Sequence, residues 1–334
     1  MVSKRSLGQT STEVTPIGLG VMQFAGGQGM IRHLYPSLSP AEMNAIVKTA
    51  LDGGINWFDT AESYGKGMSE QGLAQALHAA GKSSDEVVIA TKWWPLFRTA
   101  SNMRRNIKDR LRYLDGFEVD LYQIHWPWSF SSPENEMQIM ADLVRAGKTR
   151  AVGVSNFSAD RMRRAHSALA ERGLALASNQ VPYSLLDRQI EDNGVLEAAK
   201  QLGVTIICWS PLNSGVLSGK HHRNPDLLDS IPPGRQIGMR RQIKKTRPLV
   251  QALDEIASDR GVTIAQVALN WLVNFHGETV VAIPGATNPK QAAENAGAMR
   301  FTLSDDEMHC IDRVSRQSRS VSYTHLTLPT TPYV

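Results

Sequence analysis

Eight short apolar runs, most of them rich in Val and Ile, recur at 17–19, 55–58, 87–90, 119–124, 151–154, 176–179, 204–209 and 280–283. Runs of this length and makeup suit strands buried on both faces. Between them the apolar positions take a helical period, at 40–52, 69–80, 103–114, 134–146, 159–171 and 194–202. Ser39 before Pro40 suits an N-cap, and Gly81, Gly147, Gly173 and Gly203 stand at helix exits. Further helices are expected at 248–260, 264–273, 289–298 and 305–314. Strand and helix alternate, so the expected fold is α/β, a single-domain (β/α)8 TIM barrel. An open doubly wound sheet is disfavoured, because no Gly-x-Gly-x-x-Gly follows the first strand. The rhythm breaks after the seventh strand. There 211–245 is rich in Gly, Pro, Ser and charge and reads as a long functional loop. The barrel is expected over 1–319, with 320–334 a flexible or artefactual tail lacking any helical period.

Three of the apolar runs end in polar residues with regular spacing. Asp59, Lys92 and His125 are 33 and 33 residues apart (92 − 59 = 33; 125 − 92 = 33). A βα unit needs about 30 residues or more. The spacing therefore places the three at one end of successive parallel strands, where barrels carry their chemistry. Tyr64 follows in Asp59-Thr60-Ala61-Glu62-Ser63-Tyr64-Gly65. A phenol with a pKa near 10 is a weak donor at neutral pH unless its phenolate is stabilised. A lysine cation within reach supplies that stabilisation, and Asp59 would hold the ammonium in place. His125 is suited to a second hydrogen bond to the reacting oxygen. The set reads as a general acid with its tuning partners, aimed at a carbonyl. Neither a serine nucleophile elbow, a Cys–His pair nor a His-x-x-x-His spacing competes with it.

Composition narrows the class further. The chain has 334 residues, 42% hydrophobic and 20% charged, as expected of a globular protein with a sizeable core. A net charge of +4 is too mild to suggest a nucleic-acid partner. Cys208 and Cys310 suggest no disulfide framework, and Cys208 reads as a buried small hydrophobe. No leader or membrane-length apolar run is evident, so a cytoplasmic enzyme is expected. No metal is expected, since His221-His222 has no carboxylate cluster beside it and reads as a solvated loop pair.

These motifs resemble the aldo-keto reductase superfamily over roughly residues 5 to 315. Asp59-Thr60-Ala61-x-x-Tyr64-Gly65, Ala90-Thr91-Lys92 and Tyr122-Gln123-Ile124-His125 match its catalytic tetrad motifs, and Gly153-Val154-Ser155-Asn156-Phe157 its fifth-strand motif. The resemblance implies Tyr64 as proton donor, Lys92 and Asp59 as its tuners, and His125 as substrate orienter. It implies hydride transfer from a nicotinamide cofactor bound without a Rossmann fingerprint. Ser155, Asn156 and Gln180 match residues that hold the carboxamide, and Asp59 also lies against the cofactor. Trp209 stands where an aromatic ring stacks on the nicotinamide. Ser210, Pro211, Leu212, Ser214, Gly215, Leu217, Gly219 and Lys220 match the loop that wraps the pyrophosphate. Small residues there let backbone N–H groups approach phosphate oxygens.

Gly285, Ala286, Thr287, Gln291, Glu294 and Asn295 match the adenine end. Many members place lysine and arginine where this chain has Gly285 and Gln291, and other branches place arginine where it has Thr287. The usual 2′-phosphate clamp is thus incomplete. Arg240, Arg241, Lys244 and Lys245 could add charge from the long loop. NADPH is the expected cofactor, with NADH left open. Trp93, Trp94, Trp126 and Trp128 flank Lys92 and His125, and at least one from each motif is expected to line an apolar mouth suited to an aldehyde or ketone; Met22, Phe24, Trp93 and Trp126 are the expected set. The resemblance also admits an NADP(H)-sensing regulatory subunit, as in potassium-channel β subunits, with slow or no turnover.

Overall fold

The apolar runs hide both faces by pairing side by side in chain order. The computed structural model describes residues 2–26, 37–230 and 233–318. In it the runs are β3 (Leu19–Gly20), β4 (Trp57–Asp59), β5 (Val88–Trp93), β6 (Leu121–Ile124), β7 (Ala151–Ser155), β8 (Leu176–Pro182), β9 (Thr205–Trp209) and β10 (Val280–Ala282). All eight are parallel and neighbours in sequence are neighbours in the sheet. Parallel bridges Ile17↔Ala282 and Gly20↔Gly285 join the first segment to the last. Joining first to last closes the eight-stranded sheet on itself, which is the barrel's answer to edge-to-edge association.

A hairpin not expected from the sequence seals one end. Its strands, β1 (Arg5–Ser6) and β2 (Glu13–Val14), are two residues each, too short to leave a periodic signal. Leu7 and Val14 of this hairpin join Trp57, Ala90, Leu121, Ala177, Ile207 and Val281 in one buried cluster inside the barrel. Trp57 Nε1 donates to Thr15 O at 2.9 Å. Gly18 is required beside it, because a Cβ there would lie 2.3 Å from the Trp57 ring.

A second, larger apolar cluster lies between strands and helices. The surrounding helices are α1 (Pro40–Asp52), α2 (Met68–Ala79), α3 (Met103–Tyr113), α4 (Pro133–Arg145), α5 (Ala159–Ala170), α6 (Gln189–Asp192), α7 (Val195–Leu202), α8 (Lys220–Arg223), α9 (Pro233–Arg260), α10 (Ile264–Asn274), α11 (Pro289–Gly297) and α12 (Asp305–Ser318). Ser39 caps α1 in a full capping box with Glu42, and Gly203 ends α7 at φ +63°. Cys208 and Cys310 are free, and burial pushes the Cys208 thiol up.

The segment after β9 is less of a loop than the sequence suggests. The helix expected at 248–260 begins at Pro233, so Arg240, Arg241, Lys244 and Lys245 are helical. Proline at a first helical position loses no hydrogen bond. Ile243, Thr246, Leu249, Val250, Leu253 and Ala257 form its buried stripe. Only Ile243 of this stripe falls within 211–245, where Gly and Pro otherwise suggest loop. His221 and His222 likewise sit in α8, where His222 Nε2 meets Thr246 Oγ1 at 3.0 Å. The tail at 320–334 lies outside the described residues. Among the described residues no helix is long and apolar enough to cross a membrane.

Candidate active site

The ends of β4, β5 and β6 bring Asp59, Lys92 and His125 together. Strand register sets Asp59 beside Ala90 and Lys92 beside Gln123, and His125 N bonds Trp93 O at 3.0 Å. The Lys92 ammonium lies 2.5 Å from Asp59 Oδ1 and donates to Thr60 O at 2.9 Å. Asp59 Oδ2 accepts from Gln180 Nε2 at 2.8 Å and Gln123 Nε2 at 3.3 Å. Both oxygens of this buried carboxylate are thus hydrogen-bonded, as burial of a polar group requires.

Tyr64 reaches this cluster from a turn between β4 and α2. That turn is pinned by Thr60 Oγ1 donating to Ser69 Oγ at 2.9 Å and Ser69 Oγ donating to Val21 O at 2.7 Å. Lys92 Nζ lies 5.1 Å from the Tyr64 ring centre. The Tyr64 and His125 rings meet edge to face, 5.7 Å apart. Burial opposes the charge on Lys92, but Asp59 and the hydrogen bonds to Asp59 and Tyr64 prevail, leaving its pKa raised. His125 goes the other way: burial, and then the Lys92 charge, hold it well below the usual histidine range. Its ring is therefore neutral at neutral pH, with Nδ1 3.3 Å from Ser63 Oγ.

The polar groups expected around a nicotinamide also converge. Ser155 Oγ donates to Gln180 O at 2.8 Å, and Asn156 Nδ2 donates to His125 O at 3.1 Å and Ser155 Oγ at 2.9 Å. Trp209 Nε1 donates to Asn156 Oδ1 at 3.3 Å, tying the indole to this group. Asn156 holds φ +60°, and Ser210, Asn213 and Ser214 of the next loop are also left-handed. Such backbone strain in side-chain-bearing residues concentrates at ligand clamps. Lys220 crosses over Gly215, whose added Cβ would lie 3.2 Å from the lysine Cε. Leu217 and Pro211 of this loop are buried. At the far end Gln291 Oε1 accepts from Thr287 N at 2.7 Å and Thr287 Oγ1 at 3.0 Å. Asn295 Nδ2 donates to Gly285 O at 3.3 Å, while Ala286 is buried and Glu294 half-buried.

Two residues expected at the mouth are elsewhere. Trp93 is fully buried under α3, with Nε1 donating to Asn102 Oδ1 at 3.0 Å. Phe24 is 3% exposed and packs toward Gly72 of α2. The reason for Trp93 is strand alternation: with Lys92 turned inward, its neighbour turns outward and Trp94 returns. Trp94 indeed stands edge to face with His125 at 5.3 Å, the place expected for Trp93. Met22 and Trp126 are half-buried. Glu62 was missed by the sequence reading: its carboxylate accepts from Trp94 N at 2.8 Å and Arg98 Nη1 at 2.7 Å, fixing the loop that carries Trp94. Among the described residues no group of three or more metal-ligating side chains occurs.

A profile of the Aldo/keto reductase family matches residues 16–316. The chain is similar to a chloroplastic pyridoxal reductase of Arabidopsis thaliana, 32% identical over 91% of this chain and 84% of that one. It is similar to the crystal structure of a thermostable aldo-keto reductase, Tm1743, in complex with the inhibitor epalrestat. That likeness has a TM-score of 0.74 and 31% identity over 93% of this chain and 99% of that one. It is also similar to an aldo/keto reductase from Klebsiella pneumoniae crystallised with NADP and acetate. There the TM-score is 0.70, with 26% identity over 96% and 98% of the two chains. Barrel, rim geometry and matched length agree, and the chain belongs to the aldo-keto reductase family.

Proposed function

We propose that this protein is an NADP(H)-dependent carbonyl reductase that converts aldehydes or ketones to alcohols, with Tyr64 as the proton donor. The observation that carries the reading is the buried Asp59–Lys92 pair beneath Tyr64. A cation held there favours negative charge on the phenol oxygen as its proton leaves. The cofactor, when bound, supplies the hydride. His125, neutral and facing Ser63 through Nδ1, presents Nε2 toward the carbonyl oxygen. Gln180 gives its amide nitrogen to Asp59 and keeps Oε1 for a carboxamide N–H. Ser155 and Asn156 border the same place, and the Trp209 ring face stacks on the nicotinamide. The left-handed Ser210, Asn213, Ser214 and Gly215, with Lys220, suit a pyrophosphate.

NADPH is the proposed donor. Gln242 Nε2 donates to Asn213 Oδ1 at 2.9 Å, so this turn of α9 lies against the wrapping loop. Arg241, Lys244 and Lys245 are exposed on the same stretch and add positive potential beside a 2′-phosphate. Trp94, Trp126 and Met22 are the surfaces facing the body of the substrate. The test is NADPH oxidation against a panel of aldehydes, with fluorescence titration of both cofactors. Turnover with tighter NADPH binding is expected. Tight binding without turnover of any aldehyde would point to a nucleotide-sensing subunit, and tighter NADH binding would overturn the donor assignment.

A further inference from the structure

Four of the seven exposed large apolar side chains among the described residues sit on two adjacent loops at the rim of the site. They are Leu96 and Phe97 after β5, and Trp128 and Phe130 after β6; Phe97 is 77% and Phe130 71% exposed. Scattered apolar side chains need no explanation, but a cluster beside a reactive centre does. Phe97 is moreover left-handed at φ +58°, an unfavourable conformation for a bulky residue.

The shelf is built, not loose. Phe130 N donates to Arg98 O at 2.9 Å, Ala100 N to Ser131 Oγ at 2.9 Å, and Arg98 is anchored on Glu62. These bonds zip the loops after β4, β5 and β6 to one another. The shelf is also continuous with the reacting end. Trp94 stands perpendicular to His125 at 5.3 Å and perpendicular to Trp128 at 6.0 Å. Trp128 stacks on Trp126 at 4.4 Å and 9°. Phe97 and Phe130 on the same two loops lie 6.3 Å apart with their rings tilted by 51°. Aromatic faces and edges therefore run outward from the imidazole. Arg98, next to Phe97, is paired with Glu62, and the exposed Arg105 borders the same concavity as Phe97.

We propose that Trp126, Trp128, Phe97 and Phe130 form an outer subsite for the distal ring of an elongated, flat aromatic aldehyde or ketone. This rests on the carbonyl-reductase reading. Rings offered face-on and edge-on favour an aromatic occupant.

The test compares benzaldehyde with biphenyl-4-carbaldehyde, using NADPH and the wild type, Trp128→Ala and Phe130→Ala proteins. In parallel, benzyl alcohol and 4-biphenylmethanol are titrated calorimetrically into enzyme saturated with NADP+. The wild type is expected to favour the longer aldehyde in kcat/KM by about tenfold or more, and the longer alcohol in Kd likewise. Both ratios should fall toward one in each variant. Each ratio is taken within one preparation, so a loss of folded protein cancels. Wild-type ratios near one, or ratios that neither variant moves, overturn the subsite. A dimer that Phe130→Ala dissociates, with unmoved ratios, overturns it in favour of a second copy of the chain. No turnover of either aldehyde, with length-dependent alcohol binding retained, sinks the reductase reading and leaves the subsite standing.

Discussion

Lys92 Nζ and Asp59 Oδ1 lie 2.5 Å apart with the lysine side chain 0% and the aspartate side chain 2% exposed. Breaking a buried pair by removing one partner leaves a charge with no compensation, at about 3–5 kcal/mol. Lys92→Met should therefore lose about 3 kcal/mol or more of stability in urea titrations. The double variant Lys92→Met with Asp59→Asn should lose less than the two single losses together. Additive losses would show that the pair is not energetically coupled.

Glu70 offers a pH-dependent test away from the reacting atoms. It is buried behind β5, accepts from Thr91 Oγ1 at 2.6 Å, and lies 3.2 Å from Arg110. Burial outweighs Arg110 and Thr91 and raises its carboxyl to about 7 from 4.5. The folded state thus keeps a proton that the unfolded chain releases. Stability from this group is fully present below about 4.5 and is lost as pH rises to about 7. Glu70→Gln cannot titrate, so its stability curve should lack that decline. Parallel curves for the two proteins across pH 4.5–7 would refute the raised pKa.

Trp93 and Trp94 should separate stability from recognition. Trp93→Ala removes a fully buried indole and is expected to cost about 3–5 kcal/mol, with KM for aromatic aldehydes nearly unmoved. Trp94→Ala opens the site beside His125 and should raise that KM by about tenfold, at little cost in stability. Thermal melts and steady-state kinetics on both proteins check this. A swapped pattern would return Trp93 to the mouth.

These contrasts mark what was legible in the chain. The 33-residue spacing of Asp59, Lys92 and His125 carried the barrel and the convergence of the rim, because parallel strands place equivalent positions at one end. Trp94 was legible too, through strand alternation, but the flanking position of Trp93 drew the reading away. The α9 start at Pro233 was obscured because Gly234 and Gly238 suggest loop and Pro248 suggests a helix start, while the buried stripe begins only near Ile243. Left-handed Asn156, Ser210 and Phe97 left no trace in the sequence, since tertiary contacts impose those conformations. Nor did the Glu62 contacts to Trp94 N and Arg98, which join segments 32 and 36 residues apart.

The most direct test of the account is a pre-steady-state comparison of the wild type with Tyr64→Phe, following NADPH oxidation by a reactive aldehyde. Phenylalanine keeps the ring that lies against Lys92 and His125 and removes only the acidic hydroxyl. Removing a general acid costs about 100- to 10,000-fold. The oxidation rate should fall by that order while the Kd for NADPH stays within about threefold, a change worth less than 1 kcal/mol. A Tyr64→Phe protein that oxidises NADPH near the wild-type rate would contradict Tyr64 as the proton donor.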